Sequence, residues 1–402
     1  MGKIKLGDVI DIKHGFPFEG KYIVPDDNGI VLVTPGNFKI GGGFKEEKCK
    51  FFTGSIPDSY ILNAGDYIVT MTDLSKTIDT LGYSAKIPFN AERKYLHNQR
   101  IGLLIFKKEN ISKDYIYYIM QTDNYQKYIA NTSSGSTVHH TSPSKIYNYE
   151  FELPDFKIQN KISKCLSAYD DLIENNQKQI KLLEEAAQRL FKEWFVDLRF
   201  PGYKEVKVVD GVPDGWTKGL LDDIAEFSGK NELKENRGNY SYYLPIDCLP
   251  KKSLAYNTIH SVNLAESSLV AFKPNDILLG AMRPYFHKVV IARSNGLTRS
   301  TCFVINSKKY DYWGYLVMLL FSEDTINYAT IISVGTTMPY VRWKDFIKMP
   351  IMIPTKDIAL EFNKLVSPIA KSIIKLAEKN IKLREARDLL LPKLMRGEIK
   401  LE

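Results

Sequence analysis

Residues near position 150 of this chain return near position 350, at a constant offset of 200. Leu153-Pro154 recurs as Ile353-Pro354, Ile158 as Ile358, and Ser134-Gly135-Ser136-Thr137 as Val334-Gly335-Thr336-Thr337. Leu183, Glu185, Ala186 and Leu190 recur as Leu383, Glu385, Ala386 and Leu390. One long period of this kind calls for two copies of one architecture in tandem rather than a single undivided core. Upstream the echo persists at drifting offsets, as in Leu6-Gly7-Asp8-Val9 against Leu221-Asp222-Asp223-Ile224 and Gly65-Asp66-Tyr67-Ile68 against Asn275-Asp276-Ile277-Leu278. Drift is what loops that diverge by insertion produce. With 402 residues, each half is long enough for a domain and a tail.

The two parts of each half have different periodicities. Residues 1–155 and 201–355 carry short β-branched and aromatic runs, such as Ile30 to Thr34, Ile101 to Phe106 and Cys302 to Ile305, set between Gly, Asn and Pro. They are expected to form two mixed α/β domains. After the breakers Pro154 and Pro354, apolar residues recur at alternating steps of four and three: Ile162, Leu166, Tyr169, Ile173, then Ile180, Leu183, Ala187, Leu190, Trp194. The same phase in the second tail gives Phe362, Val366, Ile369, Ile373, Leu376, then Leu383, the charged Arg387, Leu390 and Leu394. These are coiled-coil seams, and residues 156–200 and 356–402 are expected to be long helices. Each seam has a central amide, Asn176 fifth of ten positions in the first and Asn380 sixth of ten in the second. Only antiparallel pairing brings the two amides face to face, with Ile162 near Leu394 and Trp194 near Phe362. Pro368 should kink or split the second helix. The expected fold is α+β: two mixed domains in tandem pseudo-repeat, separated by two long helices forming an antiparallel coiled coil.

Composition narrows the function. Lys+Arg against Asp+Glu stand at 18 and 17 in residues 1–154 and at 18 and 15 in residues 200–353, so neither domain is a polycation. A non-specific nucleic-acid coat is not expected; DNA binding would have to come from local clusters of basic, hydroxyl and amide side chains. No apolar run is long enough to span a bilayer, which argues against a membrane role. The four scattered cysteines lack a Cys-x-x-Cys pair and no secretory signal opens the sequence, so a reducing cytoplasm is expected.

Enzyme signatures come close and fail. Gly15-Phe16-Pro17-Phe18-Glu19-Gly20-Lys21 has phosphate-loop spacing, but Tyr22 replaces the metal-binding hydroxyl and Pro17 removes a cradling N–H. His139-His140 has no further metal ligand at a familiar spacing. Asp26, Glu46 and Lys48 follow the residue order of PD-(D/E)xK nucleases, which leaves a Mg-dependent DNA nuclease as the alternative reading. A non-DNA coiled-coil scaffold is a third. A base-modifying enzyme would need a Pro-Pro-aromatic clasp for a flipped base, and the chain has no Pro-Pro pair.

Two globular parts, each followed by a long helix, together with Gly65 to Lys76 (GDYIVTMTDLSK), Asn98-Gln99-Arg100, the Ser134 to Thr137 turn, Ile180 to Ala186 (IKLLEEA) and Leu391 to Glu398 (LPKLMRGE), resemble the specificity subunits of type I restriction-modification systems. The resemblance covers essentially the whole chain, although Pro213-Asp214-Gly215-Trp216 leads into the second domain only. It implies a chain without catalysis of its own. Each domain would be a target-recognition domain reading one half of a split double-stranded DNA sequence, and the helices would dock two methylation subunits. S-adenosylmethionine would belong to those partners, and ATP and Mg to separate restriction subunits; this chain would hold no cofactor. The DNA contacts so implied in the first domain are Thr72, Asp73, Lys76, Asn98, Gln99, Arg100, Ser134, Gly135, Ser136, Thr137 and His139. In the second they are Arg283, Tyr285, His287, Lys288, Arg299, Gly335, Thr336, Thr337 and Arg342. Amides and guanidinium groups can read base edges, while hydroxyls and glycine backbone suit phosphates.

Overall fold

The structure, a computed structural model, describes residues 2–46, 49–75 and 77–399. By its contacts the chain forms two compact units, residues 1–170 with 385–402 and residues 171–384. The boundaries expected at 155, 200 and 355 differ from these, because the cuts fall inside both long helices. The physical reason is that the seam residues at the helix ends bury themselves in a globular core. Ile162, Leu166 and Leu394 lie in one cluster with Leu6, Ile116 and Phe151.

In the first unit, Gly2–Lys5 pairs antiparallel with Glu150–Leu153. A four-stranded antiparallel sheet follows in the spatial order Ile10–His14, Ile101–Phe106, Tyr67–Thr70, Ser84–Lys86. A five-stranded sheet adds Ile23–Val24, Lys50–Phe52, Ile30–Val33, Lys94–His97 and Ile61–Leu62, with Lys94–His97 parallel to Ile30–Val33. Helices Lys113–Ile119 and Asp123–Thr132 begin at Ser112 and Thr122, whose hydroxyls accept the N–H of Tyr115 and Tyr125.

The second unit repeats this plan. Thr217–Leu220 pairs with Pro350–Ile353, and the four-stranded sheet runs Ala225–Phe227, Cys302–Ser307, Ile277–Gly280, Val289–Ile291. Helices Trp313–Leu320 and Glu323–Ile331 follow, the latter capped by Ser322 as Thr122 caps its counterpart. The five-stranded sheet is replaced by three strands, Lys230–Glu232, Leu269–Phe272 and Gly296–Arg299. Divergence is thus concentrated between the elements that both units share.

The first long helix, Phe156–Phe191, has 36 residues and the second, Lys356–Met395, has 40. At 1.5 Å per residue they are about 54 and 60 Å long. They pair antiparallel in one register. In the second unit Trp194 packs against Phe362 with ring centroids 5.4 Å apart and the ring planes inclined by 58°. The Asn176 Nδ2 donates to Asn380 Oδ1 at 2.8 Å, and Asn380 Nδ2 donates to the Ile173 carbonyl at 3.3 Å. In the first unit Ile162 shares a core with Leu394. Contrary to expectation, Pro368 does not split the second helix, which continues through it without a break. A missing N–H removes one bond of a ladder that a long packed face holds on both sides. The irregularity lies instead after the first helix, in a π-helical turn Lys192–Val196 that buries both Trp194 and Phe195. Among the described residues, no helix is long and apolar enough to cross a membrane.

Both amides are buried, so Asn176→Leu would leave Asn380 without its donor. We expect a loss of about 1–3 kcal/mol in chemical denaturation. The double variant Asn176→Leu/Asn380→Leu should lose less than the single one, because it strands no polar group.

Candidate nucleic-acid interface

In the first unit three distant segments are woven together at one end of the four-stranded sheet. Thr70 pairs with Ile101, and just beyond this pair the Met71 N–H donates to the Arg100 carbonyl at 3.0 Å while the Met71 carbonyl accepts the Thr141 N–H at 3.0 Å. Thr72–Asp73 then pairs antiparallel with His139–His140. The weave borders a cleft of about 330 Å³ lined by His14, Met71, Thr72, Gln99, Arg100, His140, Thr141, Ser142 and Pro143.

Gln99 and Arg100 are exposed at its edge. Asn98 builds the turn that presents them, its Oδ1 accepting the Arg100 N–H at 3.0 Å. Gly15 lies against this turn; a Cβ there would stand 2.1 Å from the Asn98 carbonyl oxygen, so only glycine fits. Thr72 is buried, with its hydroxyl 3.2 Å from His140 Nδ1. Adjacent strand residues face opposite sides, and it is His140, not His139, that lines the cleft. The Ser134 to Thr137 turn is closed by reciprocal bonds between Ser134 and His140, 3.0 and 2.8 Å, and leaves Ser136 and Thr137 exposed.

Asp73 is a correction. Its carboxylate is buried and accepts the N–H groups of Ser75, Thr80 and Leu81 and the Thr80 hydroxyl. Burial pushes its pKa up, but the bonds from Ser75 and Thr80 more than offset this and hold it below the ordinary value. These bonds turn the buried carboxylate toward Ser75, Thr80 and Leu81 of its own loop rather than toward solvent. Lys76 lies outside the described residues.

The second unit carries the same weave. Ala281 N–H donates to the Thr301 carbonyl at 2.8 Å, the Ala281 carbonyl accepts the Val341 N–H at 2.9 Å, and Met282 bridges to Tyr340. The Gly335 turn is closed by bonds between Val334 and Tyr340, 2.9 and 3.0 Å, leaving Thr336 and Thr337 exposed. Arg283 adopts a left-handed backbone (φ 50°), donates its N–H to the Pro339 carbonyl at 2.7 Å, and ties its Nη2 to the Thr337 carbonyl at 3.3 Å. A non-glycine residue held at positive φ is strained, and such strain collects at functional sites. Tyr285 and Arg299 are exposed, and Arg342 is exposed but bonded through Nε to Asp345 at 2.6 Å.

His287 is a second correction, for it belongs to the core. Its side chain is 2% exposed, Nε2 lies 3.1 Å from the Phe321 carbonyl, and burial lowers its pKa despite Glu323 nearby. Lys288 reaches inward to the Ile246 carbonyl at 2.7 Å, and burial lowers its pKa too. Residue-type reasoning missed His14, Met282 and Tyr340; the signal for the last was in the repeat, which sets Tyr340 opposite His140 at the offset of 200.

Glu46 and Lys21, taken from the two enzyme alternatives, have other partners. Glu46 accepts the Tyr95 hydroxyl at 2.6 Å and pairs with Arg93 at 3.4 Å, while Lys48 lies outside the described residues. Lys21 pairs with Glu19 in a 3₁₀ turn at Gly20–Tyr22. Among the described residues no three His, Cys, Asp or Glu side chains gather as metal ligands.

The two repeated glycines make a testable pair. Both have φ of 101°, but a Cβ on Gly135 would stand 2.0 Å from the Val138 carbonyl oxygen and one on Gly335 3.4 Å from that of Met338. Gly335→Ala should cost about 1–2 kcal/mol from backbone strain alone. Gly135→Ala should cost more and should displace the His140 side of the cleft; thermal denaturation of the two variants in parallel checks the order.

The sequence profile of the type I restriction modification DNA specificity domain matches residues 1–185 and 213–384. The chain is 30% identical over 319 residues to the type I restriction enzyme MjaIX specificity subunit of Methanocaldococcus jannaschii, covering 74% of this chain and 72% of that protein. It is 24% identical over 347 residues to the type I restriction enzyme HindI specificity subunit of Haemophilus influenzae, covering 69% and 75%. Its fold is similar to that of the type I restriction-modification S subunit from M. genitalium, with a TM-score of 0.61 at 14% identity over 98% of this chain and 95% of that one. A doubled sheet-end weave, paired long helices and a profile matched in both halves have one common meaning: the chain belongs to the type I restriction-modification specificity subunits, the non-catalytic DNA-recognition components of these systems.

Proposed function

We propose that the chain reads a bipartite, asymmetric duplex target, each unit recognising one half-site. The observation that supports this is the weave itself. One backbone pattern occurs twice and carries different side chains each time, with Gln99 and Arg100 at one sheet end and Ser300 and Thr301 at the matching one. Equal scaffolds with unequal side chains read unequal half-sites. The exposed outer faces of the long helices, Leu172, Leu182 and Leu389 among them, are the surface on which two methylation subunits dock, with restriction subunits joining through that complex. Methyl transfer from S-adenosylmethionine and ATP- and Mg-dependent cleavage belong to those partners.

Selection from random duplexes, with the full chain bound to its methylation subunits, tests the reading. The expected result is a motif of two unlike blocks separated by a fixed number of unread base pairs. One contiguous block, two identical blocks, or no enrichment would overturn it.

A further inference from the structure

The strand registers align the two units residue by residue. Ile101 lies opposite Thr70 in the first and Cys302 opposite Gly280 in the second. Two steps beyond these pairs, Thr72 corresponds to Met282; one step back, Arg100 corresponds to Thr301, and two steps back, Gln99 to Ser300. The hydrogen bonds from Met71 to Arg100 and from Ala281 to Thr301 give the same correspondence independently. The bridges from Ser134 to His140 and from Val334 to Tyr340 match His140 with Tyr340. On the outer strand, His14 opposite Gly102 matches Gly229, two residues beyond Phe227 opposite Ile305.

The two faces so matched differ in chemistry. The first presents His14, Gln99, Arg100 and His140, with the Thr72 hydroxyl behind them. At the same positions the second has Gly229, Ser300, Thr301 and Tyr340, with Met282 in place of Thr72. Tyr340 and the neighbouring Met338 are exposed, at 48% and 57%. Of the cations beside these positions, Arg283 is tied back to the Thr337 carbonyl and Arg342 to Asp345, while Arg299, next to Ser300, is exposed. In the major groove a guanine offers two acceptors to a guanidinium, whereas thymine is distinguished by an apolar 5-methyl group.

We propose that the two units read bases by opposite means. Arg100 donates to O6 and N7 of a guanine in one half-site, and the Met282 and Tyr340 side chains take the 5-methyl group of a thymine in the other. This rests on the reading of each unit as a DNA reader. It adds which base feature each one takes and which side chains take it.

Base analogues in the selected duplex test the assignment with the full chain. Replacing guanine by 7-deazaguanine removes one acceptor and is expected to weaken binding about tenfold in the block read by the first unit. Replacing thymine by uracil removes one methyl group and is expected to weaken binding about fourfold in the other block. Arg100→Ala should abolish the response to 7-deazaguanine only, and Met282→Ser the response to uracil only; both side chains lie at the surface or half-buried. The inference is overturned if both blocks respond to the same analogue. It is equally overturned if Met282→Ser weakens all sequences alike, or if it impairs subunit assembly and leaves base preference intact, which would make the Met282 face a protein contact. Failure to enrich any split motif would instead reject the DNA-reading proposal itself, and this one with it.

Discussion

Phe362→Ala is expected to destabilise the second unit by about 3–5 kcal/mol, the usual cost of emptying a fully buried aromatic site. Phe362 is completely buried, with its ring centroid 4.7 Å from Phe195, 5.4 Å from Trp194 and 6.2 Å from Phe191. All three partners belong to the end of the first helix and its π turn, so the cavity would open at the junction of both helices with the domain core. Few neighbours can collapse into it, because Phe195 is already wedged against Tyr315 at 4.7 Å and Trp216 at 5.8 Å. The exposed Leu365, three residues on, is the control. Leu365→Ala should change stability by no more than about 0.5 kcal/mol. Equal losses in the two variants by thermal denaturation would mean that the helix face is assigned wrongly.

A second large effect is expected from Asp170→Ala in the first unit. The Asp170 Oδ1 accepts the Arg387 guanidinium at 2.5 Å and Oδ2 accepts the Tyr118 hydroxyl at 2.7 Å. Burial pushes the Arg387 pKa down, yet Asp170 more than offsets this and holds the cation firmly charged. Removing the carboxylate leaves a guanidinium, whose side chain is only 21% exposed, with the more exposed Asp388 as its remaining ionic partner among those described. Breaking such a pair from one side is costly, and with partial solvent access we expect about 2–3 kcal/mol. Replacing the cation as well, in Asp170→Ala/Arg387→Met, should recover much of the loss, because the charge left behind, on Asp388, is 62% exposed. A double variant less stable than Asp170→Ala would show that the packing of the arginine stem, not the ion pair, carries the effect.

Much of the helical architecture was legible before any coordinates. Alternating steps of four and three define a seam, and amides at mirrored positions within two seams define direction and register. The globular assignment of the helix ends was not legible. A heptad pattern marks which face is apolar but not whether a helix or a β-sheet covers it, so Ile162 and Leu394 read as seam residues while also completing a domain core. Of the two outcomes expected at Pro368, the split does not occur, since the local cost of the proline is set against packing along a 40-residue helix.

The candidate site was legible where the repeat marked it and obscure elsewhere. Gly135 and Gly335 announce their turns because no other residue holds that backbone comfortably. Asp73 and His287 have residue types that suit DNA, yet long-range partners occupy them: the amides around Thr80 in one case and the Phe321 carbonyl in the other. Met282 and Tyr340 were passed over because a search for polar groups does not find a surface suited to a methyl group.

The closure of the first unit by residues 385–399 has a consequence for biosynthesis. The apolar surface around Ile4, Ile162 and Leu166 leaves the ribosome long before Leu390, Leu394 and Met395, which complete that cluster. At about 5–20 residues per second, translation of the intervening stretch takes roughly 10–45 s. Until those residues emerge, the first unit lacks the part of its core that Leu390, Leu394, Met395 and Ile399 supply.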